Sequence, residues 1–203
     1  MKIIGVTGPT GSGKTTALRV FEKKGAAVID CDAVYHELLL TSQELLDELR
    51  ERFGDGVFFP DGKLDRKAMG RKVFDDQKAL EDLNRITHRY VGEEVQRRLR
   101  EAERQGGEAA AVDAIALIEG GLSERCDAVV GVLAPEETRI VRIMRREGIS
   151  REYAESRVKA QKPESFYRTH CTDILVNDGD EADFEQKAGA LYDKWIGEGT
   201  KSR

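Results

Sequence analysis

The residues with the clearest chemistry are Gly8-Pro-Thr-Gly-Ser-Gly-Lys14-Thr15-Thr16. They match G-x-x-x-x-G-K-[ST] in full. Gly8, Gly11 and Gly13 let the backbone bend so that its N–H groups point inward at phosphate oxygens, with Ser12 between the last two. Lys14 can reach the outer phosphates of a nucleoside triphosphate, and the Thr15 hydroxyl can ligate Mg²⁺. Gly8, Gly11, Ser12, Gly13, Lys14, Thr15 and Thr16 are therefore the candidate triphosphate-binding residues. The apolar run Ile3-Ile4-Gly5-Val6 precedes the loop, and Ala17, Leu18, Val20 and Phe21 follow at helical spacing. A helix starting near Lys14 adds the partial positive charge of its N-terminus. A turn that merely joins strand to helix would not need every fixed position of the motif.

Phosphoryl transfer also needs a group for the acceptor's proton and cations for the moving charge. Asp32 is the candidate for the first, with Asp30 able to help hold Mg²⁺ through water. The competing reading makes Asp32 the N-cap of the next helix, where aspartate is favoured. Arg139, Arg142 and Arg146 fall at steps of three and four, so they share a helix face. Such a face could close over the triphosphate as a lid, or it could simply be solvated. Residues 139–168 hold seven arginines and two lysines against four acids, which favours anion binding. Arg66 and His88 could touch a substrate or be ordinary surface residues. Glu119 could contact metal or substrate, or serve as a structural hydrogen-bonding group.

These residues need elements to position them. Strands are expected over 2–6, 26–30, 109–118, 127–133 and 172–176. Helices are expected over 14–23, 33–40, 44–53, 136–146 and 150–161, the last ended by Pro163. Residues 65–105 are helical in composition and contain no proline, which suggests a helical insertion between the second and third strands. Phe184, Ala188, Leu191 and Trp195 form a helical stripe that reads as core, and the tail from Gly197 reads as frayed. Strands of near-continuous apolar residues alternating with helices imply a parallel sheet covered on both faces. Ligands of such sheets gather at the carboxyl ends of the strands, where both the glycine-rich loop and Asp32 fall.

At 203 residues the chain fits one domain with an inserted part. Charged residues make up 35%, no run approaches a membrane span, and no signal peptide precedes the first strand, so a cytoplasmic protein is expected. The scattered Cys31, Cys126 and Cys171 fit a reducing compartment and lack metal-site spacing. The net charge of -5 argues against a nucleic-acid partner.

Over nearly its whole length the chain resembles the dephospho-CoA kinases. The resemblance rests on Thr7-Gly8-x-x-Gly-Ser-Gly-Lys14-Thr-Thr16, Val28-Ile-Asp-Cys-Asp32, Leu64-Asp65-Arg66, Val73-Phe74 and Leu83-Asn84-x-Ile-Thr-His88. It continues through Leu117-Ile-Glu119-x-Gly-Leu122, Cys126-Asp127, Arg142-x-x-x-Arg146, Arg157-x-x-x-Gln161 and Asn177-x-Gly179. The resemblance implies an α/β P-loop kinase fold, three layers around a five-stranded parallel sheet, with a helical substrate-binding insertion and a lid. Its implied boundaries are a core of 1–32, 108–135 and 170–203, an insertion of about 33–107 and a lid of about 136–169. It implies transfer of the γ-phosphate of ATP, with Mg²⁺, to the 3′-hydroxyl of dephospho-CoA by a monomer or weak homo-oligomer that needs no membrane. In those terms Asp32, Lys14, Arg142 and Arg146 would be catalytic, and Asp32, Arg66 and His88 would meet the substrate. Thr15 would bind the metal, and Asn177 would lie near adenine. The chain departs from the family at Arg89 and at Ala114-Ile115-Ala116, where proline is common. Two other functions compete: a kinase for another small acceptor such as a nucleoside monophosphate, and a nucleotide-dependent switch with little turnover.

Overall fold

A computed structural model describes residues 1–199, with side chains described as far as Gly197. The chain divides into two compact units, Met1–Ile29 with Glu101–Arg203, and Asp30–Arg100.

The first unit carries a five-stranded sheet of β1 (Lys2–Thr7), β2 (Ala27–Asp30), β3 (Ala109–Asp113), β4 (Ala128–Leu133) and β5 (Asp173–Val176). The strand order is β2-β3-β1-β4-β5. β1 runs parallel to both β3 and β4, and β4 runs parallel to β5. Every residue of β4 is buried, as expected of a strand covered on both faces. α1 (Lys14–Lys23) and α9 (Glu181–Gly199) pack together, with the rings of Phe21 and Tyr192 5.5 Å apart. Phe184, Ala188 and Trp195 join Ile4, Val6 and Val130 in one core, with Leu191 packed against it. α9 continues past Gly197 to Gly199, so the chain is still helical where fraying was expected. The rest of that expectation, residues 200–203, lies outside the described residues.

Two boundaries differ from the sequence expectations in this unit. β3 stops at Asp113, and residues 115–120 turn, although Leu117 is fully buried. Burial of that apolar run reflects packing of a turn rather than continued pairing. α6 (Glu136–Glu147) and α7 (Arg151–Lys159) form as expected and pack through Ile140, Ile143, Ala154 and Val158. Pro163, however, does more than end a helix. It is the N-cap of α8 (Glu164–His170), which the sequence reading missed, because proline suits a helix start as well as a stop.

The second unit is helical: α2 (Cys31–Thr41), α3 (Gln43–Phe53), α4 (Arg66–Phe74) and α5 (Gln77–Arg104). α5 runs on through its last residues into the first unit. Leu45, Leu49, Phe53, Met69 and Ile86 form the core of the helical unit. The helical stretch expected over 65–105 is two helices, because the Asp76 carboxylate accepts the Ala79 N–H at 2.9 Å and caps a new start. Asp30, Ser42 and Asp65 cap α2, α3 and α4 in the same way. Each such cap stabilises its helix by about 1 kcal/mol. Among the described residues no helix is long and apolar enough to cross a membrane.

Candidate active site

The glycine-rich loop joins the carboxyl end of β1 to α1. Two of its glycines are required by space as well as by backbone angle. At Gly8 (φ 143°) a β-carbon would meet the Val132 carbonyl oxygen at 2.2 Å. At Gly13 (φ 106°) it would meet Asn177 Nδ2 at 2.2 Å. α1 starts on Gly13 with no side-chain cap, unlike α2, α3 and α4, and its first turn holds no acid. Its leading N–H groups are therefore not capped by a side chain and can serve an anion. Ser12 is fully buried, and its Oγ has no hydrogen-bond partner among the described residues. A phosphate oxygen would satisfy that hydroxyl. Lys14 Nζ donates to the Gly8 carbonyl at 2.9 Å, which holds the ammonium over the loop. Thr15 is exposed in the first turn, and Thr16 is half-buried.

Side chains from β5 onward and from α6 to α8 hold the loop in shape. Asn177 donates from Nδ2 to the Ser12 carbonyl at 2.9 Å and accepts from Arg142 Nη2 at 3.2 Å. Arg142 Nη1 donates to the Gly11 carbonyl at 3.2 Å. Buried Arg139 donates from Nε to the Thr10 carbonyl at 3.0 Å and from Nη2 to Gln161 Oε1. Gln161 in turn accepts the Thr10 N–H at 3.1 Å and donates to Thr10 Oγ1 at 2.7 Å. All three polar groups of Thr10 are thus bound by Arg139 and Gln161. A loop held this way is set in position before any ligand arrives, so little reorganisation is needed on binding.

The arginine face therefore splits. Arg139 and Arg142 donate to loop carbonyls, whereas Arg146 pairs with Glu147 at 2.6 Å and its side chain is 60% exposed. Much of the positive charge in 139–168 is also neutralised. Arg151 pairs with Glu137 and Glu155, Arg157 with Glu147, and Arg168 with Glu164. Glu137 lies just outside the stretch whose composition suggested an excess. Burial pushes the Arg139 guanidinium below the usual arginine value, yet it keeps its charge through carbonyl and amide acceptors.

Asp113 is not among the candidate residues that the sequence singled out. It is the last residue of β3 and stands opposite Val6 in the neighbouring strand that feeds the loop. The signal was available: an apolar strand ending on an acid beside a phosphate loop. A hydroxyl from Thr15, a carboxylate from Asp113, phosphate oxygens and water make the all-oxygen set that Mg²⁺ prefers. The residues present thus fit that ion. Glu119, expected at the end of this strand, lies in the turn beyond it, exposed; burial, and then the Glu119 charge, raise the Tyr167 phenol.

In the helical unit the cap of α2 is Asp30, not Asp32. Asp30 Oδ1 accepts from the N–H groups of Asp32 at 2.8 Å and Ala33 at 3.0 Å. That overturns the capping reading of Asp32 and commits the carboxylate suggested to help with Mg²⁺. Asp32 is exposed in the first turn, and its carboxylate makes no hydrogen bond or ion pair among the described residues. Arg66 opens α4 and lies 2.7 Å from His36 Nε2, while His36 Nδ1 lies 2.6 Å from the Asp32 carbonyl. Sequence reasoning missed His36. His88 is exposed midway along α5, and partial desolvation lowers its imidazole from the usual value. Arg89, where the family commonly has proline, pairs with Glu48 of α3 and lies over the Tyr90 ring at 4.7 Å. Tyr90 also donates to Glu48, at 3.1 Å, so this departure ties α5 to α3.

A parallel sheet of order 2-3-1-4-5, with a complete phosphate loop between its central strand and an uncapped helix, defines a P-loop protein of the kinase type. The sequence profile described as dephospho-CoA kinase matches residues 2–183. A dephospho-CoA kinase from Geobacter sulfurreducens is 36% identical over 194 residues, covering 96% of this chain and 98% of its own. A solved structure, TT1252 from Thermus thermophilus, has a TM-score of 0.75 at 35% identity over 95% of this chain and 97% of its own. A dephospho-CoA kinase from Campylobacter jejuni shares the fold, with a TM-score of 0.70 at 23% identity over 98% and 100% of the two chains. This chain belongs to the dephospho-CoA kinase family.

Proposed function

We propose that this enzyme transfers the γ-phosphate of ATP to the ribose 3′-hydroxyl of dephospho-CoA, giving CoA and ADP. The observation that carries the reading is the preshaped phosphate loop on an uncapped helix, with the buried Ser12 hydroxyl still unsatisfied, in a chain of this family. Gly8, Gly11, Ser12, Gly13 and the first turn of α1 bind the phosphates. Lys14 exchanges the Gly8 carbonyl for phosphate oxygens and follows the charge as the bond to the γ-phosphate breaks. Thr15 and Asp113 hold Mg²⁺, which when bound neutralises charge on the transferring group. Asp32 accepts the proton of the acceptor hydroxyl, a role suited to a carboxylate with no competing partner. Arg139, Arg142, Gln161 and Asn177 act through the loop they hold, and Arg146 supplies charge only if it leaves Glu147. Arg66 and His88 meet the acceptor.

The test is coupled ADP release with ATP and Mg²⁺, with and without dephospho-CoA, followed by mass measurement of the product. Stimulated release with one phosphate added to dephospho-CoA is expected. A folded, ATP-binding protein that phosphorylates AMP or CMP instead would replace this acceptor with a nucleotide. Tight nucleotide binding without acceptor-stimulated release would make the chain a switch.

A further inference from the structure

In the helical unit, two candidate substrate residues distant in sequence, Asp32 and Arg66, are joined through one imidazole. An arginine guanidinium can only donate, so the 2.7 Å contact makes His36 Nε2 the acceptor. The proton of a neutral ring then sits on Nδ1, where it donates to the Asp32 carbonyl at 2.6 Å. Both contacts select the same tautomer, and a protonated ring would lose the acceptor and face Arg66 with a second positive charge. His36 follows Asp32 by one turn of α2, so the carbonyl it bonds belongs to the turn that carries the Asp32 carboxylate. Capping by Asp30 fixes that turn, and capping by Asp65 fixes the turn that starts with Arg66.

Stability alone does not explain Arg66. It lies in the first turn of a helix, where a cation is disfavoured. Among the described residues it makes no ion pair, and nor does Arg71 of the same helix, whereas Arg50, Arg52, Arg85, Arg89, Arg97 and Arg98 of the same unit do. The nearest acid in sequence, Asp65, is committed to its cap. Four guanidinium donors remain open after the bond to His36.

We infer that His36 is a positioning residue for the acceptor. In its neutral Nδ1–H form it holds the Arg66 guanidinium in register with the turn that presents Asp32, so that Arg66 receives an anionic phosphate group of the acceptor while Asp32 receives its hydroxyl. The Tyr35 ring lies 5.9 Å from the His36 ring, and burial raises its phenol despite the opposing Arg66 charge. The inference rests on the acceptor site proposed above and adds a residue and a tautomer to it.

The experiment measures kcat, KM for dephospho-CoA and KM for ATP in wild type, His36→Leu, His36→Gln, Arg66→Ala and the Leu–Ala double variant. It also records the imidazole ¹⁵N shifts of His36 in wild type and Arg66→Ala. His36→Leu is expected to raise KM for dephospho-CoA by roughly tenfold, the size of one hydrogen bond to a charged group, and to leave KM for ATP unchanged. Glutamine, with an acceptor near the Nε2 position, should restore most of that loss. In the Arg66→Ala background the leucine change should have no further effect. Equal changes in both KM values, independent effects of the two substitutions, or no effect of His36→Leu would each overturn the inference. So would a wild-type ring that NMR shows protonated or in the Nε2–H form at neutral pH. Wild type that turns over no dephospho-CoA would instead sink the proposed reaction, and the ¹⁵N shifts would still report on the His36–Arg66 link.

Discussion

At Gly13 a single methyl group decides whether the phosphate loop can keep its support. A β-carbon there would lie 2.2 Å from the Asn177 amide on a backbone at φ 106°, which L residues rarely adopt. Gly13→Ala should therefore push Asn177 off the Ser12 carbonyl and Arg142. Calorimetric titration is expected to show ATP affinity lowered by about five- to 150-fold, the roughly 1–3 kcal/mol of such strain, with the far-UV spectrum unchanged. Motif spacing predicts the glycine, but only the structure identifies the neighbour it makes room for. Asp32→Asn isolates the proposed proton acceptor. Turnover should fall by roughly two to four decades while KM for ATP stays near wild type, and unchanged kcat in a stopped assay would remove Asp32 from the chemistry. The sequence left Asp32 divided between base and cap; the hydrogen bonds of Asp30 resolve the capping half of that question.

α6 and the link that follows α7 support the phosphate loop through Arg139, Arg142 and Gln161. Gln161→Ala would release the amide and hydroxyl of Thr10 together and take one acceptor from Arg139. The expected result is a severalfold rise in KM for ATP with KM for dephospho-CoA unchanged, read in the same coupled assay; hydrogen bonds of about 1 kcal/mol each set that scale. A matching rise in both constants would mean that the loop's support is not specific to the nucleotide. On α5, hydrogen bonds from Arg97 and then Arg98 hold the Glu94 carboxyl down to about 2. Its folded value lies below the unfolded one, so its stabilisation is present in full above pH 4.5 and is lost as the pH falls toward about 2. Glu94→Gln should cost up to about 1 kcal/mol at neutral pH after screening, with the difference from wild type vanishing near pH 2. Urea titrations at the two pH values check both. Helix periodicity reveals α5 readily, but not the break before it. An aspartate that caps a helix and an aspartate on a helix surface look alike until the N–H it accepts from is known.

Across the whole molecule, nucleotide binding should appear as stability. ATP at a hundredfold excess over its Kd stabilises the folded state by about 2.7 kcal/mol, and a chain of this size should melt about 5–11 °C higher. A scan with ATP and Mg²⁺ showing no shift would remove the loop as a triphosphate site. The sequence by itself determined the class of fold and the place of the loop, because strand and helix patterns and the glycine–lysine spacing are local properties of the chain. Family membership was also legible, since the ordered motifs run along nearly the whole chain. Tertiary structure alone decided which arginines serve the loop, that Glu137 neutralises part of a stretch that looked free, and that Asp113 ends a strand beside β1. It also joined His36 to Arg66. These are contacts between residues far apart in sequence, and composition and periodicity carry no record of which distant partner a side chain meets.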